Sequence, residues 1–355
     1  MGKSIVICLD GTGNQMRARG DTNVVRLFSM LDLDDPSAQV AYYDPGVGTF
    51  SAVGAWTPVG KKISRLLGRA FGTGLRANLS EAYIFLMRHW QPGDRIYLFG
   101  FSRGAYAVRA LAGMLATVGI LRPGSENLVP YAISVYTRSK RYESQDWKFL
   151  HEFANLFSRE VDGNQAVPIA FVGVWDSVKA AGVLRWDLKW PFTRRLRTVE
   201  TVRHAVSIHE KRRPYREYLI TPASDRQRVD EVWFGGVHSD VGGTFEDDPR
   251  LATIALAWML DGAREAGLRL AAGAYERCCR LTPDHALGAV HRTGWVWAML
   301  IYRRRPIPRG ARVHQSVRDR LERDQKDAPR LPADVVWVEP AWSTVRDRAP
   351  TPERA

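Results

Sequence analysis

The amino-acid sequence predicts an α/β fold in which a mostly parallel sheet carries helices on both faces. Short apolar runs of strand length alternate along the chain with longer segments of helical periodicity. That alternation is typical of parallel strands buried between two layers of helices. The 355 residues are 45% hydrophobic and 25% charged, which indicates a sizeable core and excludes disorder as the main state.

The first half of the chain contains three predicted strands and one helical segment. Ser4–Leu9 is an apolar run that ends in the Gly-rich turn Asp10–Asn14, and Val40–Tyr43 is a second run of the same kind. Apolar residues recur at helical spacing over 63–90, with a break at the glycines of 72–74. Arg95–Phe101 is the third strand.

The second half continues the alternation. Ala105–Val118 is predicted as a helix that ends at Gly119. Ile169–Trp175 and Glu231–Val237 are two further apolar strands, and the long helix Leu251–Ala266 follows the second of them. The sheet therefore gains at least two strands after the helix Ala105–Val118.

The elements are expected to form one domain over residues 1–320. The segments 120–165 and 183–226 fall between predicted strands, and we interpret them as cap insertions over the carboxyl edge of the sheet, where the sites of such folds lie. Residues 321–355 are predicted to be a Pro- and Arg-rich C-terminal tail.

Cysteine content and hydropathy bear on the compartment. Three Cys residues predict a reduced environment rather than a disulfide scaffold. The longest apolar stretches have about half of the roughly 20 residues that a bilayer crossing needs. The apolar run at Ile5–Leu9 is too short for the core of a signal peptide. We therefore expect a cytoplasmic protein without a transmembrane helix, and signal-independent export stays open.

The formal net charge of +13 is concentrated in two basic clusters. Leu184–Leu219 contains ten basic and four acidic residues, and a second cluster of arginines lies within 303–320. A solvated basic surface and an attraction to phosphate are both open interpretations. Because Trp186, Trp190 and Phe192 lie inside the first cluster, the pattern favours an anionic lipid surface over nucleic acid.

The pentapeptide Gly100-Phe101-Ser102-Arg103-Gly104 lies between a predicted strand and a predicted helix. A serine at the apex of such a turn has a strained backbone, and glycines two residues to either side allow the turn to close. The N-terminus of the following helix stabilises negative charge that develops at the serine. This context favours Ser102 as a nucleophile over a helix-capping serine in an ordinary turn.

A serine nucleophile needs a base, and the base needs a third group that orients it. The expected chain order in this architecture is serine, acid, histidine. Asp176 and His238 each come directly after a predicted strand, so both are expected at the same sheet edge as Ser102. Asp240 competes for the role of the acid, but its spacing fits the holding of the His238 loop better. A helix-capping Asp176 and a loop His238 without a chemical role are the alternatives.

An acyl-transfer site also needs donors for an oxyanion. The N–H of Arg103, directly after the serine, is the first candidate. The Gly-rich turn after the first strand is the candidate for the second donor, through Gly11 or Thr12, with Asp10 holding the loop.

Cofactor motifs are not matched. Gly11-Thr12-Gly13 and Gly46-Val47-Gly48 lack the spacing of a P-loop or of a dinucleotide-binding turn, and Cys278-Cys279 has no partner at zinc spacing. We expect neither a cofactor nor a metal. His204 and His209 lie in a stretch that we interpret as helical, where exposure or pairing fits them better than catalysis.

Five motifs stand in order along the chain: LDGTGN at 9–14, YDPGVGT at 43–49, GFSRGA at 100–105, VWDSV at 174–178 and GVHSDVGG at 236–243. Together they resemble the DUF2235 domain, the catalytic module of Tle1-type phospholipase effectors of type VI secretion, and the similarity covers roughly residues 3–320. The resemblance implies an α/β-hydrolase fold and phospholipase A or related ester hydrolysis without a metal. Ser102, Asp176 and His238 match the triad positions of that family.

We therefore predict a serine hydrolase that cleaves carboxylic esters, above all those of phospholipids, through an acyl-enzyme on Ser102. The alternative from another class is a non-catalytic, hydrolase-like module that docks on an anionic membrane or on a protein partner. Both a toxin and a housekeeping enzyme stay open, because secreted relatives commonly carry additional docking regions. No nucleic-acid partner is expected, and no sequence feature supports an immunity protein.

Overall fold

The computed structural model describes residues 2–11, 21–46, 58–139, 144–179, 190–292, 303–325 and 327–338. Its strands are β1 (Ser4–Leu9), β2 (Gln39–Asp44), β3 (Arg95–Phe101), β4 (Ile169–Trp175), β5 (Val199–Ser207), β6 (Arg228–Phe234), β7 (Arg312–His314) and β8 (Val336–Val338). Its helices are α1 (Asn23–Phe28), α2 (Pro58–His89), α3 (Arg103–Thr117), α4 (Val129–Arg138), α5 (Gln145–Phe157), α6 (His238–Gly242), α7 (Arg250–Glu265), α8 (Ala274–Cys279) and α9 (Gln315–Arg323). Within these ranges the strands form a parallel sheet in the order β2-β1-β3-β4-β5-β6-β7-β8.

Successive side chains of β1 enter two separate cores. Ile5, Ile7 and Leu9 pack with residues of α2, α3, α4 and α5. Val6 and Cys8 face the other way and pack with residues of α1, α7 and α8. Burial on both faces explains why this strand is a continuous apolar run. The architecture confirms the predicted α/β fold with helices on both faces of a parallel sheet.

The most apolar strands match the sequence-based prediction at both ends. Ser4–Leu9, Arg95–Phe101 and Ile169–Trp175 are β1, β3 and β4. The helix α2, in contrast, runs without interruption through 72–74, where a break is predicted. A glycine inside a helix costs only about 1 kcal/mol relative to alanine, so a long helix tolerates it.

The segment 183–226 was predicted to be an insertion, and the structure corrects this because β5 lies inside it. The strand was not predicted because it contains Arg203 and His204, and buried strands rarely contain such residues. Both side chains are buried, and each has partners: Arg203 donates to the carbonyl oxygen of Trp258, and His204 Nδ1 lies 2.9 Å from Glu231 Oε2. The helical interpretation of His204 is therefore wrong.

The predicted boundary at residue 320 also needs correction. β7 and β8 extend the sheet through Val336–Val338, which belongs to the segment 321–355 that was predicted to be a tail. Strands of three residues are too short to produce a detectable hydrophobic pattern. An ion pair of 2.5 Å between Arg312 Nη1 and Asp230 Oδ1 joins β7 to β6.

The predicted insertion 120–165 contains α4 and α5, which pack beside α2 and α3 on one face of the sheet. Ser158, after α5, donates from its hydroxyl to the carbonyl oxygen of Val118 at 2.6 Å, which ties α5 to the C-terminal end of α3. That the segment 120–165 forms a cap over the carboxyl edge of the sheet stays a prediction. Among the helices that the structure describes, none combines the length and hydrophobicity needed to cross a membrane.

Candidate active site

Ser102 occupies a strained turn between β3 and α3. Its backbone has φ 59° and ψ −118°, a conformation that residues other than glycine rarely adopt. The end of β4 holds this turn: the Ser102 N–H donates to the carbonyl oxygen of Trp175 at 3.1 Å, and the Ser102 carbonyl oxygen accepts from the N–H of Val178 at 3.3 Å. The serine is therefore presented at the carboxyl edge of the sheet.

The two glycines that flank the serine are required by space. A Cβ atom on Gly104 would lie 2.0 Å from the carbonyl oxygen of Leu9, and one on Gly100 would lie 2.7 Å from the backbone nitrogen of Ala105. Both distances are shorter than any real carbon contact, so the backbone would have to move. The close approach of α3 to β1 is what fixes the height of Ser102 above the sheet.

His238 joins the serine to the acid. Its Nε2 lies 2.9 Å from Ser102 Oγ, and its Nδ1 lies 2.6 Å from Asp176 Oδ2. An ionised carboxylate can only accept, so Nδ1 carries the proton and Nε2 accepts from the serine hydroxyl. The structure thus brings the three predicted residues Ser102, Asp176 and His238 into one hydrogen-bonded series, in which His238 can take the proton of Ser102.

Asp176 is completely buried and ionised. Its Oδ1 accepts from the N–H of Ser207 at 2.9 Å and from Arg305 Nη1 at 2.5 Å, while Oδ2 accepts from Arg305 Nη2 at 2.9 Å as well as from His238. Burial alone would raise the pKa of this carboxyl, but Arg305 and His238 outweigh it and hold the pKa of Asp176 well below its ordinary range.

His238 is neutral in this environment. Burial lowers the pKa of its imidazole below the ordinary value, and Arg212 lowers it further, against the opposing effect of Asp176. Phe101 and Tyr215 enclose the ring, with centroids 4.6 Å and 4.8 Å from that of His238. A neutral imidazole is the form that can accept a proton from a serine.

A second buried carboxylate, Glu210, lies beside His238. Its Oε2 accepts from the backbone N–H of His238 at 3.2 Å. Arg212 donates to both carboxylate oxygens of Glu210, at 2.9 Å from Nε and 2.7 Å from Nη2. Burial would raise the pKa of Glu210, but Arg212 outweighs it and lowers the value. Each carboxylate near the histidine therefore has its own guanidinium.

The carboxylate of Asp240 bonds to the backbone of the loop that carries His238, whereas the carboxylate at the His238 imidazole is that of Asp176. Asp240 Oδ2 accepts from the N–H of Val237 at 2.8 Å. Its Oδ1 lies 2.5 Å from Nδ1 of His291, whose Nε2 lies 3.1 Å from Asp247 Oδ2. Burial lowers the pKa of His291, but the two carboxylates outweigh it and raise the value above the ordinary one.

The predicted oxyanion donors have different outcomes. Arg103 begins α3, and its N–H lies in the first turn of that helix. The N–H of Gly11 donates to Asp10 Oδ1 at 2.7 Å, which counts against Gly11 as the second donor. Thr12 lies outside the described residues. Asp10 does hold its loop, since its Oδ2 also accepts from Thr22 Oγ1 at 2.5 Å.

Some residues of the two basic clusters are buried, although most of the described ones are exposed. Trp190 is only 8% exposed and lies near Tyr106, so it does not serve as a surface anchor for lipid. Trp186 lies outside the described residues. In the second cluster, Arg305 and Arg320 are buried, and Arg320 donates to the carbonyl oxygens of two residues between α8 and α9.

Three side chains around the site were not predicted: Arg305, Glu210 and His291. Arg305 stands in a run of three arginines, and nothing in the sequence separates it from its exposed neighbours. Glu210 follows β5, which was not predicted from the sequence, so the place of Glu210 at the sheet edge could not be inferred. Within the described ranges, no three His, Cys, Asp or Glu side chains are arranged to hold a metal ion.

The chain is similar to known proteins. The family model described as "T6SS, Phospholipase effector Tle1-like, catalytic domain" matches residues 3–262. An uncharacterized protein of Saccharomyces cerevisiae, YEL023C, is 38% identical over 230 residues, which is 62% of this chain and 33% of the relative. The chain therefore spans about a third of the length of that relative.

Two solved structures align with the chain at low similarity. An uncharacterized protein from Pseudomonas aeruginosa gives a TM-score of 0.42 at 19% identity, over 80% of this chain and 48% of that chain. The Tle1 effector bound to the VgrG spike from the type VI secretion system gives 0.35 at 19% identity, over 69% and 51%. The family model alone covers well over half of the 355 residues. The chain thus belongs to the Tle1-like family of type VI secretion phospholipase effector catalytic domains, a family of lipid hydrolases.

Proposed function

We propose that this chain hydrolyses a carboxylic ester of a phospholipid, in the manner of a phospholipase A, through an acyl-enzyme on Ser102. The observation that carries the proposal is the series from Ser102 Oγ through His238 to Asp176, with distances of 2.9 Å and 2.6 Å. The strained backbone of Ser102 supports it, because such turns expose a nucleophile. Membership of a phospholipase family supports a lipid substrate.

The proposed reaction has two stages. Ser102 Oγ attacks the ester carbonyl carbon while His238 Nε2 takes the hydroxyl proton. The tetrahedral intermediate then loses the alcohol, to which His238 returns the proton, and the acyl group stays on Ser102. In the second stage a water molecule gives a proton to His238 and attacks the acyl carbon. The bond to Ser102 Oγ then breaks, His238 returns the proton to that oxygen, and the fatty acid is released. Asp176 orients the imidazole and stabilises the imidazolium that forms in both stages.

The negative charge of the tetrahedral oxygen needs fixed donors. We assign the first to the N–H of Arg103, at the start of α3, where the helix dipole adds to the hydrogen bond. A second donor from the loop after β1 stays a prediction that centres on Thr12. Removal of a single such donor costs on the order of 100-fold or more in kcat in serine hydrolases.

The test is a product analysis with purified protein on phospholipid vesicles. Fatty acid and lysophospholipid are the expected products, and Ser102→Ala should lower their rate of formation by about 10⁴-fold or more without a loss of fold. Ser177→Ala is the matched control: it is buried one residue from Asp176, and its hydroxyl has no hydrogen-bond partner among the described residues. Unchanged product formation by Ser102→Ala, or products cut at the phosphate, would contradict the proposal.

A fluorophosphonate probe separates the enzyme from the non-catalytic docking module. Such probes react with an activated serine, because phosphonylation follows the same attack as acylation. We expect labelling of the wild-type protein and of Ser177→Ala, and none of Ser102→Ala. An unlabelled but folded wild-type protein that binds anionic vesicles would favour the docking module instead.

A further inference from the structure

Arg305 is a charged residue inside the protein, although its neighbours in sequence are surface arginines. Its side chain is 2% exposed. Nη1 donates to Asp176 Oδ1 at 2.5 Å and to the carbonyl oxygen of Ser207 at 3.0 Å, and Nη2 donates to Asp176 Oδ2 at 2.9 Å. Nη2 and Nε both donate to the carbonyl oxygen of Tyr215, Nε at 3.1 Å. The guanidinium, which has five N–H donors, thus takes part in five hydrogen bonds.

We propose that Arg305 is a positioning residue of the candidate triad, which fixes the carboxylate of Asp176 toward His238 and balances its buried charge. This inference rests on the ester hydrolysis proposed above. Arg305 lies outside residues 3–262, the part of the chain that the family model matches. It is therefore a property of this chain that the family membership does not supply.

The geometry gives the first argument. Two parallel hydrogen bonds from one guanidinium fix both the plane and the rotation of a carboxylate. With the bonds from Ser207 and His238, each oxygen of Asp176 has two donors. The carboxylate has no freedom left to rotate away from His238 Nδ1. A lysine could supply the charge at this position but not the two parallel bonds.

The charges around the imidazole give the second argument. The groups that face His238 from the elements packed against it are Ser102, Asp176, Glu210, Arg212 and Tyr215, and Arg305 lies behind Asp176, to which it is bonded. Among them, two carboxylates are balanced by two guanidinium groups. Without Arg305, the negative charge of Asp176 would act on the imidazole uncompensated and would favour its protonated form.

The loss of Arg305 has two consequences that can be measured separately. Loss of alignment lowers kcat/KM, since a displacement on the order of 1 Å can cost about 100-fold. Loss of the positive charge moves the acid limb of the pH profile upward, because His238 is then protonated at a higher pH. A merely structural arginine would reduce the amount of folded protein but would leave this limb in place.

The experiment compares Arg305→Gln and Arg305→Lys with the wild-type protein on a soluble ester between pH 4.5 and 9. The amount of folded protein in each sample is measured by circular dichroism. We expect Arg305→Gln to lower kcat/KM by 10- to 100-fold and to raise the midpoint of the acid limb by about one pH unit. Arg305→Lys should keep the wild-type midpoint with a reduced kcat/KM. Arg309→Gln, whose side chain is 90% exposed, is the matched control.

The outcomes distinguish this inference from the proposed function. A wild-type protein that the probe does not label overturns the ester hydrolysis itself. A labelled wild-type protein, together with a folded Arg305→Gln variant that keeps the wild-type acid limb, overturns only the role of Arg305. If Arg305→Gln does not fold, Arg305→Lys decides: a wild-type kcat/KM in that variant excludes a need for the two parallel bonds.

Discussion

Ser102 and Asp176 share an unusual backbone conformation. Their φ angles are 59° and 39°, in the region that favours glycine, and each directly follows a strand of the parallel sheet. Such residues cost about 1–3 kcal/mol each and persist only where their surroundings hold them. Here the backbone N–H of Asp176 donates to the carbonyl oxygen of Ala205 at 2.7 Å, and Ser102 bonds in the same way to Trp175. The strain lifts both side chains to the carboxyl edge of the sheet.

The lowered pKa of His238 leads to a prediction about wild-type activity. The neutral imidazole is the active form, and burial shifts its protonation below the ordinary value of about 6.5. The acid limb of kcat/KM on a soluble ester should therefore have its midpoint below pH 6.5, and kcat/KM should level off toward neutral pH. Rate measurements in buffers of constant ionic strength check this. A midpoint above pH 6.5 would contradict the neutral histidine that the structure indicates.

The loop from β6 to α7 is held from outside the triad. Asp240 binds the backbone of Val237 and the ring of His291, and the ring of Phe245 is stacked on His291 at a centroid distance of 3.8 Å. His291 comes from the segment after α8, so it connects two elements that are distant in sequence. These contacts position the backbone that carries His238.

Replacement of His291 should therefore destabilise the protein in a pH-dependent manner. Asp240 and Asp247 raise the pKa of His291 in the folded chain, so the contribution of its charge is complete below about pH 6.5 and disappears as the pH rises through the folded value. We expect His291→Gln to lower Tm by about 2–4 °C at pH 5.5 and by less at pH 9. Thermal melts of both proteins measure this, with the exposed His151→Gln on α5 as the control. A difference that grows with pH would contradict the assignment.

Elements that are buried by their own composition could be predicted from the sequence. β1, β3 and β4 consist almost entirely of apolar residues. The two glycines of the Gly-x-Ser-x-Gly turn indicate its strained backbone. β5 could not be found, because the partners of Arg203 and His204 are residues that only the folded sheet brings near. Ser102 and Asp176 directly follow apolar strands, so their place at the sheet edge could be predicted. The places of Glu210, which follows β5, and of Arg305, which stands among exposed arginines, could not.

At the scale of the whole molecule, the net charge of +13 divides into an internal and an external part. Inside the fold, Arg305 neutralises Asp176 and Arg320 donates to backbone carbonyl oxygens, whereas Arg194 and Arg195 are exposed between Trp190 and β5. The guanidinium of Arg194 lies 4.8 Å from the ring centroid of Tyr218, whose N–H bonds to the residue after Asp176. The exposed pair therefore adjoins the candidate active site.

This placement predicts a specific effect on vesicles. Each basic residue near an anionic lipid surface contributes about 1 kcal/mol, so the double variant Arg194→Gln, Arg195→Gln should hydrolyse anionic vesicles roughly 30-fold more slowly at subsaturating lipid. Its rate on a soluble ester should not change. High salt should remove the difference between the two proteins, since it screens exposed charges. Equal loss on both substrates would indicate damage to the site rather than to membrane contact.

The position of Arg305 also bears on how this enzyme could be divided. A fragment that stopped at residue 262 would contain Ser102, Asp176 and His238, but its sheet would end at β6 and the buried acid would have no counter-ion. The edge of a recognisable family segment is thus not the edge of a working unit in this chain. Anyone who trims the protein for expression should keep residues up to at least 338, where the last described strand closes the sheet.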